Sequence, residues 1–253
     1  MKLRVLGCSG SEFPGHYSPA FLLDDALLLD AGTIGAVLTA EEQRAITNIL
    51  LTHRHLDHIK ALRLMADNII NNQSLRQTVR VHGLRDTLAA FRNHLLNNSI
   101  WPDFSRLPST EQPIIRYKEI TTSTPFQVEG FEVSAFPVDH AAPAVGYILR
   151  KDGKGILYTG DTGPTELIWR MAVNLSAIIV EVSFPSALEE LALRTGHLTP
   201  RLLAIELDKL AERPNRILIT HLKQQYVSII MNELADLRIP GLELLKEGDM
   251  YEF

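Results

Sequence analysis

The densest chemistry in this chain sits in Thr52-His53-Arg54-His55-Leu56-Asp57-His58, directly after the apolar run Ile46 to Leu51. Three histidines and an aspartate fall within six positions. His53 and His55 are two apart, so on an extended segment they project to the same side and can bind one metal ion together. If the chain then turns into a helix, Asp57 and His58 swing to a neighbouring position and can hold a second ion. Imidazole and carboxylate suit zinc, and also manganese or iron. The bland alternative is a chance cluster of surface histidines. With nine histidines in 253 residues, it explains the placement after a buried strand poorly.

Two metals need more ligands than this loop supplies, and three candidates stand at the ends of apolar runs. His140 follows Ala135 to Asp139, Asp161 follows Ile156 to Gly160, and His221 follows Ile217 to Thr220. Any one alone reads as a capped turn or a structural residue. Together, each strand delivers a ligand-type side chain to one rim of a sheet. Two further segments carry chemistry-bearing residues: Glu181-Val182-Ser183-Phe184 and Gly196-His197-Leu198-Thr199-Pro200.

The run His53 to His58, followed by His140, Asp161 and His221, resembles the metallo-β-lactamase superfamily of dinuclear hydrolases over nearly the whole chain. Asp30, in Asp30-Ala31-Gly32 after an apolar run, fits the family residue that hydrogen-bonds a ligand histidine. The resemblance implies an α/β protein, a four-layer αββα sandwich with the metals at one edge, formed by residues 1–253 as a single domain. It implies that His53, His55 and His140 bind a first divalent ion. It gives Asp57, His58 and His221 to a second, with Asp161 bridging. Zinc is the expected metal, with manganese or iron as alternatives. True β-lactamases of this fold commonly carry cysteine or serine where Asp161 stands, so lactamase chemistry is disfavoured. A bridging carboxylate suits a hydroxide held between ions about 3.5–4 Å apart and in-line phosphodiester hydrolysis.

Glu181 to Phe184, Gly196 to Pro200 and Thr220-His221-Leu222 resemble the phosphodiesterase branch, which includes tRNA 3′-processing enzymes and class II cyclic-nucleotide phosphodiesterases. In that branch a histidine before the last metal ligand contacts the phosphate and donates a proton to the leaving oxygen. His197 matches it, and Glu181 would fix its tautomer and raise its pKa. The expected catalytic residues are therefore His197, Glu181 and the ligand Asp57. The plainer reading of His197 is a residue preceding a helix that starts at Thr199-Pro200. His55-Leu56-Asp57-His58, Gly196 to Pro200 and Asn97 to Phe104 resemble the cyclic-nucleotide group. Ile59-Lys60-Ala61-Leu62 departs from it, where a glycine is usual after the last histidine. The long arm of the tRNA enzymes has no counterpart, since only 20 residues separate His140 from Asp161. The expected reaction opens a 3′,5′-cyclic nucleotide to the 5′-nucleotide. The alternatives are ester, thioester or lactone hydrolysis on the same site, and a tRNA 3′-processing type of nuclease. A non-enzymatic sensor is disfavoured because no ligand is missing.

The elements that must position these residues are legible as alternating strands and helices. Leu3 to Leu6, Ala20 to Leu23, Ala26 to Leu29, Ile46 to Leu51, Phe131 to Val138, Ala144 to Leu149, Gly155 to Tyr158, Ala177 to Val182 and Arg216 to Ile219 read as strands. Asp24-Asp25 reads as a hairpin turn. Leu62 to Ile70, Leu84 to Leu96 and Leu202 to Ala211 read as helices, the last capped by Thr199 with Pro200 in the first turn. Asn97 to Gln112 reads as a loop excursion. Trp101, Phe104 and Phe184 read as packing residues more readily than as nucleobase platforms. His16 reads as a solvated loop residue, His82 and His94 as structural, and Arg54 as pointing outward. With 45% hydrophobic and 22% charged residues, composition is that of a globular protein. A net charge of −5 and no Lys/Arg run argue against a grip on long nucleic acid. No apolar stretch reaches membrane-span length. The single cysteine, Cys8, gives no support for an oxidising compartment, so the protein reads as cytoplasmic. The expected partner is a small phosphodiester, and the resemblance also allows a homodimer.

Overall fold

Alternation of apolar side chains along the strands dictates a layered architecture. The computed structural model describes residues 1–71 and 77–253. Fourteen strands are found among them: β1 (Lys2–Gly7), β2 (Ala20–Leu23), β3 (Leu27–Leu29), β4 (Asn48–Leu50), β5 (Val79–Gly83), β6 (Ile115–Glu119), β7 (Phe126–Val128), β8 (Phe131–Val138), β9 (Ala144–Lys151), β10 (Lys154–Tyr158), β11 (Ala177–Glu181), β12 (Arg216–Thr220), β13 (Leu242–Leu244) and β14 (Met250–Glu252). One seven-stranded sheet runs β14-β1-β2-β3-β4-β5-β6, the other β13-β12-β11-β10-β9-β8-β7. Both are mixed. In the first, β1 to β3 are antiparallel and β3 to β6 parallel. In the second, β7 to β10 are antiparallel and β10 to β13 parallel.

Neighbouring residues on one strand enter different cores. On β4, Leu50 joins Phe21, Phe131, Tyr147 and Leu218 between the sheets, while Ile49 joins the outer core under the helices. On β11, Ile179 faces inward and Ile178 outward. Strands buried on both faces need the continuous apolar runs seen in Ala177-Ile178-Ile179-Val180. The helices are α1 (Ala40–Ala45), α2 (Leu56–Ile59), α3 (Leu62–Ile70), α4 (Arg85–Ala90), α5 (Leu167–Met171), α6 (Glu189–Thr195), α7 (Pro200–Leu207) and α8 (Val227–Asp236). Leu62, Met65 and Ile69 of α3 cover the first sheet, and Leu203, Leu207, Ile230 and Leu234 of α7 and α8 cover the second. The result is the expected αββα sandwich.

The hairpin at Asp24-Asp25 forms, with both aspartates in the left-handed region (φ 46° and 59°), which a short polar side chain tolerates. Three expectations need adjusting. The strand expected over Ile46 to Leu51 is confined to β4. The helix expected over Leu84 to Leu96 is α4 followed by a wider π turn over Phe91–Leu95. The helix expected to Ala211 stops at Leu207, although Thr199 caps it as expected by accepting from Leu202 N. Helix α1 was not anticipated, yet its signal was present. Thr39 and Glu42 form a reciprocal capping box, with Glu42 accepting from Thr39 N at 2.7 Å.

Candidate metal centre

The chemistry-bearing residues leave the strands at one edge of the sandwich. His53 follows β4, His140 follows β8, Asp161 follows β10, Glu181 ends β11 and His221 follows β12. The chain turns at His55 into α2, which carries Asp57 and His58. Asp30, just past β3, is fully buried and anchors this turn. Its Oδ1 accepts from Thr52 N at 2.8 Å. Its Oδ2 accepts from Thr52 Oγ1 at 2.8 Å, Tyr158 OH at 2.7 Å and His58 Nδ1 at 2.7 Å. Four donors thus fix one buried carboxylate, which in turn fixes the end of β4 and the ring of His58.

Two groups of ligand atoms converge. His53, His55, His140 and Asp161 form one; Asp57, His58, Asp161 and His221 form the other. In each, the ligand atoms lie within 4.8 Å of one another. Asp161 belongs to both. Its carboxylate lies 3.3 Å from His58 Nε2, 3.3 Å from His221 Nε2 and 3.8 Å from His53 Nε2. His140 Nε2 faces His55 Nδ1 at 3.1 Å, and Asp57 Oδ2 lies 3.4 Å from His221 Nε2.

The hydrogen bonds on the far side of each ring assign the tautomers. Thr52 Oγ1 gives its proton to Asp30, so it accepts from His53 Nδ1 at 3.0 Å. His58 Nδ1 donates to Asp30, and His140 Nδ1 donates to Gly196 O at 2.8 Å. Ser183 Oγ donates to Glu181 Oε2 at 2.9 Å, so it accepts from His221 Nδ1 at 2.8 Å. Four imidazoles therefore turn an Nε2 lone pair toward the convergence point. His53 Nε2 and His58 Nε2 are buried and have no hydrogen-bond partner, a costly arrangement unless a cation completes it. The donor set fits two divalent ions.

Titration points the same way. Burial, then His58, pushes His53 well below the usual imidazole range; burial and His140 lower His55, and burial lowers His140 against the pull of Asp161. Burial opposes ionisation of Asp161, but His221 and His58 hold it well below the carboxylate range. Asp57 is likewise held low, burial being outweighed by His221 and His58. His58 goes the other way: burial is outweighed by Asp161 and Asp30, which raise it. The proton it attracts stands where a cation is called for, and a divalent ion would replace it.

Beside the two groups lies Glu181, fully buried. Its Oε1 accepts from His197 Nδ1 at 2.6 Å and Thr162 N at 3.1 Å, and its Oε2 accepts from Ser183 Oγ and from Leu198 N at 3.3 Å. His197 resists burial because Glu181 raises its pKa. It lies against the metal-side rings, 5.5 Å from His221 and 5.1 Å from His140 between centroids. Helix α6 ends at Gly196 in the left-handed conformation (φ 68°), and a Cβ there would meet His140 Cα at 2.6 Å. Glycine is what lets His197 and His140 approach.

All the residues singled out for metal binding or catalysis come together here. Thr52, Tyr158 and Ser183 complete the arrangement and were not singled out. Ser183 stood in a quoted segment, but a serine between two apolar residues has no signal of its own. Arg54 is exposed, as expected. His82 is structural, bonding Asn48 Oδ1 at 2.9 Å. His94 is exposed rather than packed. Phe104 is in the outer core at 1% exposure, which removes it as a nucleobase platform, and Trp101 packs against the same core.

A sequence profile of the beta-lactamase superfamily domain matches residues 27–222. The chain is 25% identical to a probable 3′,5′-cyclic-nucleotide phosphodiesterase of Yersinia pestis, over 97% of this chain and 79% of that protein. It is 23% identical to a ribonuclease Z of Archaeoglobus fulgidus, over 89% of this chain and 88% of that protein. Unliganded yeast PDE1 superposes with a TM-score of 0.81 at 19% identity, over 98% of both chains, a likeness of fold.

Proposed function

The chain belongs to the beta-lactamase superfamily and is a metal-dependent hydrolase, and on that premise we propose that it opens a small phosphodiester, a 3′,5′-cyclic nucleotide, to the 5′-nucleotide. The observation that carries this reading is the Glu181–His197 pair beside the two ligand groups. Hydrolysis of an alkyl phosphodiester must protonate a poor leaving oxygen, and acyl transfer has less use for a proton donor at that point. The phosphodiesterase name of the Yersinia relative supports the substrate class, and so does the ribonuclease Z name, since both proteins are named for phosphodiester cleavage.

In this reading His53, His55 and His140 hold one ion and Asp57, His58 and His221 the other, with Asp161 shared. Zinc suits this imidazole-rich set, with manganese or iron as alternatives. Divalent ions bound there supply Lewis-acid polarisation of the phosphoryl group and activation of water. Glu181 accepts a hydrogen bond from His197 Nδ1, and in the imidazolium form of His197 Nε2–H is then the donor for the leaving ribose oxygen. Burial opposes that charged form, but Glu181 outweighs it and raises the His197 pKa, which favours the proton donor. Ser183 ties this donor to the ligand side, sharing its hydroxyl between Glu181 and His221. Asp30, through His58 and Thr52, holds the ligand loop. The tRNA-processing alternative is less well supported: β9 and β10 join through the tight turn Asp152-Gly153, leaving no arm between His140 and Asp161. A cytoplasmic setting belongs to the same proposal and rests on the lone, buried Cys8.

The deciding experiment loads the protein with zinc and offers 3′,5′-cyclic AMP, 3′,5′-cyclic GMP, bis-p-nitrophenyl phosphate, p-nitrophenyl acetate, a simple lactone and a 3′-extended tRNA. A 5′-nucleotide product, lost in Asp57→Ala, is expected. Cleavage of bis-p-nitrophenyl phosphate without the cyclic nucleotides would retain the phosphodiesterase and discard the substrate. Preference for the acyl substrates would overturn the reading.

A further inference from the structure

A cavity of about 510 Å³ is lined in part by the ligand loop, with His55 in one wall. Its other walls are apolar: Leu56 and Ile59 of α2, and Ala90 and Leu95 across from them. Leu56 sits between two ligand residues yet is 58% exposed. Its exposed side chain adds to the apolar lining of the cavity. The polar lining is Arg54 and His94. Neither has a side-chain hydrogen bond or ion pair among the described residues, and no carboxylate lines the cavity.

The wall itself is altered. Helix α4 widens into a π turn over Phe91–Leu95, and this turn carries both His94 and Leu95. Such turns are rare and cluster at functional sites, because the extra residue re-aims side chains at the cost of regular hydrogen bonding. Here the re-aimed residues line the cavity.

We propose that this cavity receives the nucleobase of the substrate, and that Arg54 and His94 select bases with an acceptor-rich edge, guanine before adenine. The proposal rests on the phosphodiesterase reading of the adjoining centre. The volume lies within the range of small-molecule pockets, and the cavity shares His55 with one of the two ligand groups. A flat base fits between aliphatic walls, and a planar guanidinium can stack on it or bond its edge. Arginine donates to two acceptors at once, which guanine offers in O6 and N7; adenine offers N7 beside an amino group that arginine cannot satisfy. The absence of carboxylates removes repulsion against a phosphate-bearing ligand.

The test compares kcat/KM for cyclic GMP, cyclic AMP and bis-p-nitrophenyl phosphate in wild type, Arg54→Ala and Ala90→Trp. Ala90 is half-buried on a helix and lines the cavity, so tryptophan there takes up cavity volume without removing a core side chain. Metal content and melting temperature report an intact centre in each variant. Wild type should favour cyclic GMP by about tenfold, the discrimination of one good bidentate pair. Arg54→Ala should bring that ratio near one. Ala90→Trp should lower nucleotide turnover relative to bis-p-nitrophenyl phosphate at least about tenfold, mainly through KM. A nucleotide-to-p-nitrophenyl ratio unchanged in Ala90→Trp would overturn the pocket, and an unchanged base preference in Arg54→Ala would overturn the selection. If wild type cleaves no phosphodiester, the function reading fails separately. Equilibrium binding of GMP then decides: binding weakened by Ala90→Trp keeps the pocket, and binding absent or unaffected removes it.

Discussion

Replacing Asp30 by asparagine should unbalance the two metal positions. Three donors converge on Oδ2 of Asp30, namely Thr52 Oγ1, Tyr158 OH and His58 Nδ1, and Thr52 N meets Oδ1. An asparagine oxygen placed at Oδ2 can keep most of that convergence. Its amide NH2 then points at Thr52 N, donor against donor. One buried backbone donor is left unsatisfied, at about 1–3 kcal/mol. For a chain this size each kcal/mol is worth about 2–4 °C, so the metal-free melting temperature should fall by roughly 2–12 °C. His58 also loses the anion behind its Nδ1–H. Changing such a partner typically weakens metal binding about 10–100-fold. His53 feels Asp30 only through Thr52, so the group of His53, His55 and His140 should lose less. Chelator competition on the zinc-loaded variant should therefore show one ion near wild-type affinity and one weakened by one to two orders of magnitude. Two equally weakened ions, or two unchanged ones, would refute the claim that Asp30 acts on the centre through the ring of His58.

His197→Asn should keep both ions and lower kcat about 10²–10⁴-fold for a ribose leaving group, but far less for bis-p-nitrophenyl phosphate, whose phenolate needs no proton. Equal losses on the two substrates, measured by steady-state kinetics, would remove the proton-donor role. Burial, with Lys118 and Arg80 close by, pushes the His82 imidazole down from 6.5 to about 4, so the unfolded chain binds the extra proton between those values. Stability should be full above pH 6.5 and lost as pH falls toward 4, by up to about 3 kcal/mol, a slope that denaturant melts should find flattened in His82→Gln. Phe104→Ala should cost about 3–5 kcal/mol of stability by opening a core cavity, and leave kcat unchanged if the Asn97–Gln112 excursion serves packing.

The site was legible in the sequence because its ligands are chemically rare and sit at strand ends, where one residue type changes to another abruptly. Nine histidines are enough for chemistry yet few enough that clustering carries information. The layers were legible for a related reason: doubly buried strands such as Ala177 to Val180 leave no ambiguity of face. What stayed hidden is made of common residues whose meaning is purely relational. Ser183 is one serine among many until the fold sets its hydroxyl between Glu181 and His221. Thr52 and Tyr158 matter only because both reach Asp30. Strand β6 was missed because its exposed positions are charged and its partners lie far away in sequence. The π turn was missed for a different reason: the apolar spacing from Leu84 to Leu96 suits a regular helix, and nothing in that spacing marks the widening at Phe91. That mismatch is itself informative. Where a local preference for regular structure is overridden, something in the tertiary structure is maintaining the deviation. Here the override falls on the wall of a cavity that shares His55 with the candidate metal centre, the cavity proposed to receive the nucleobase.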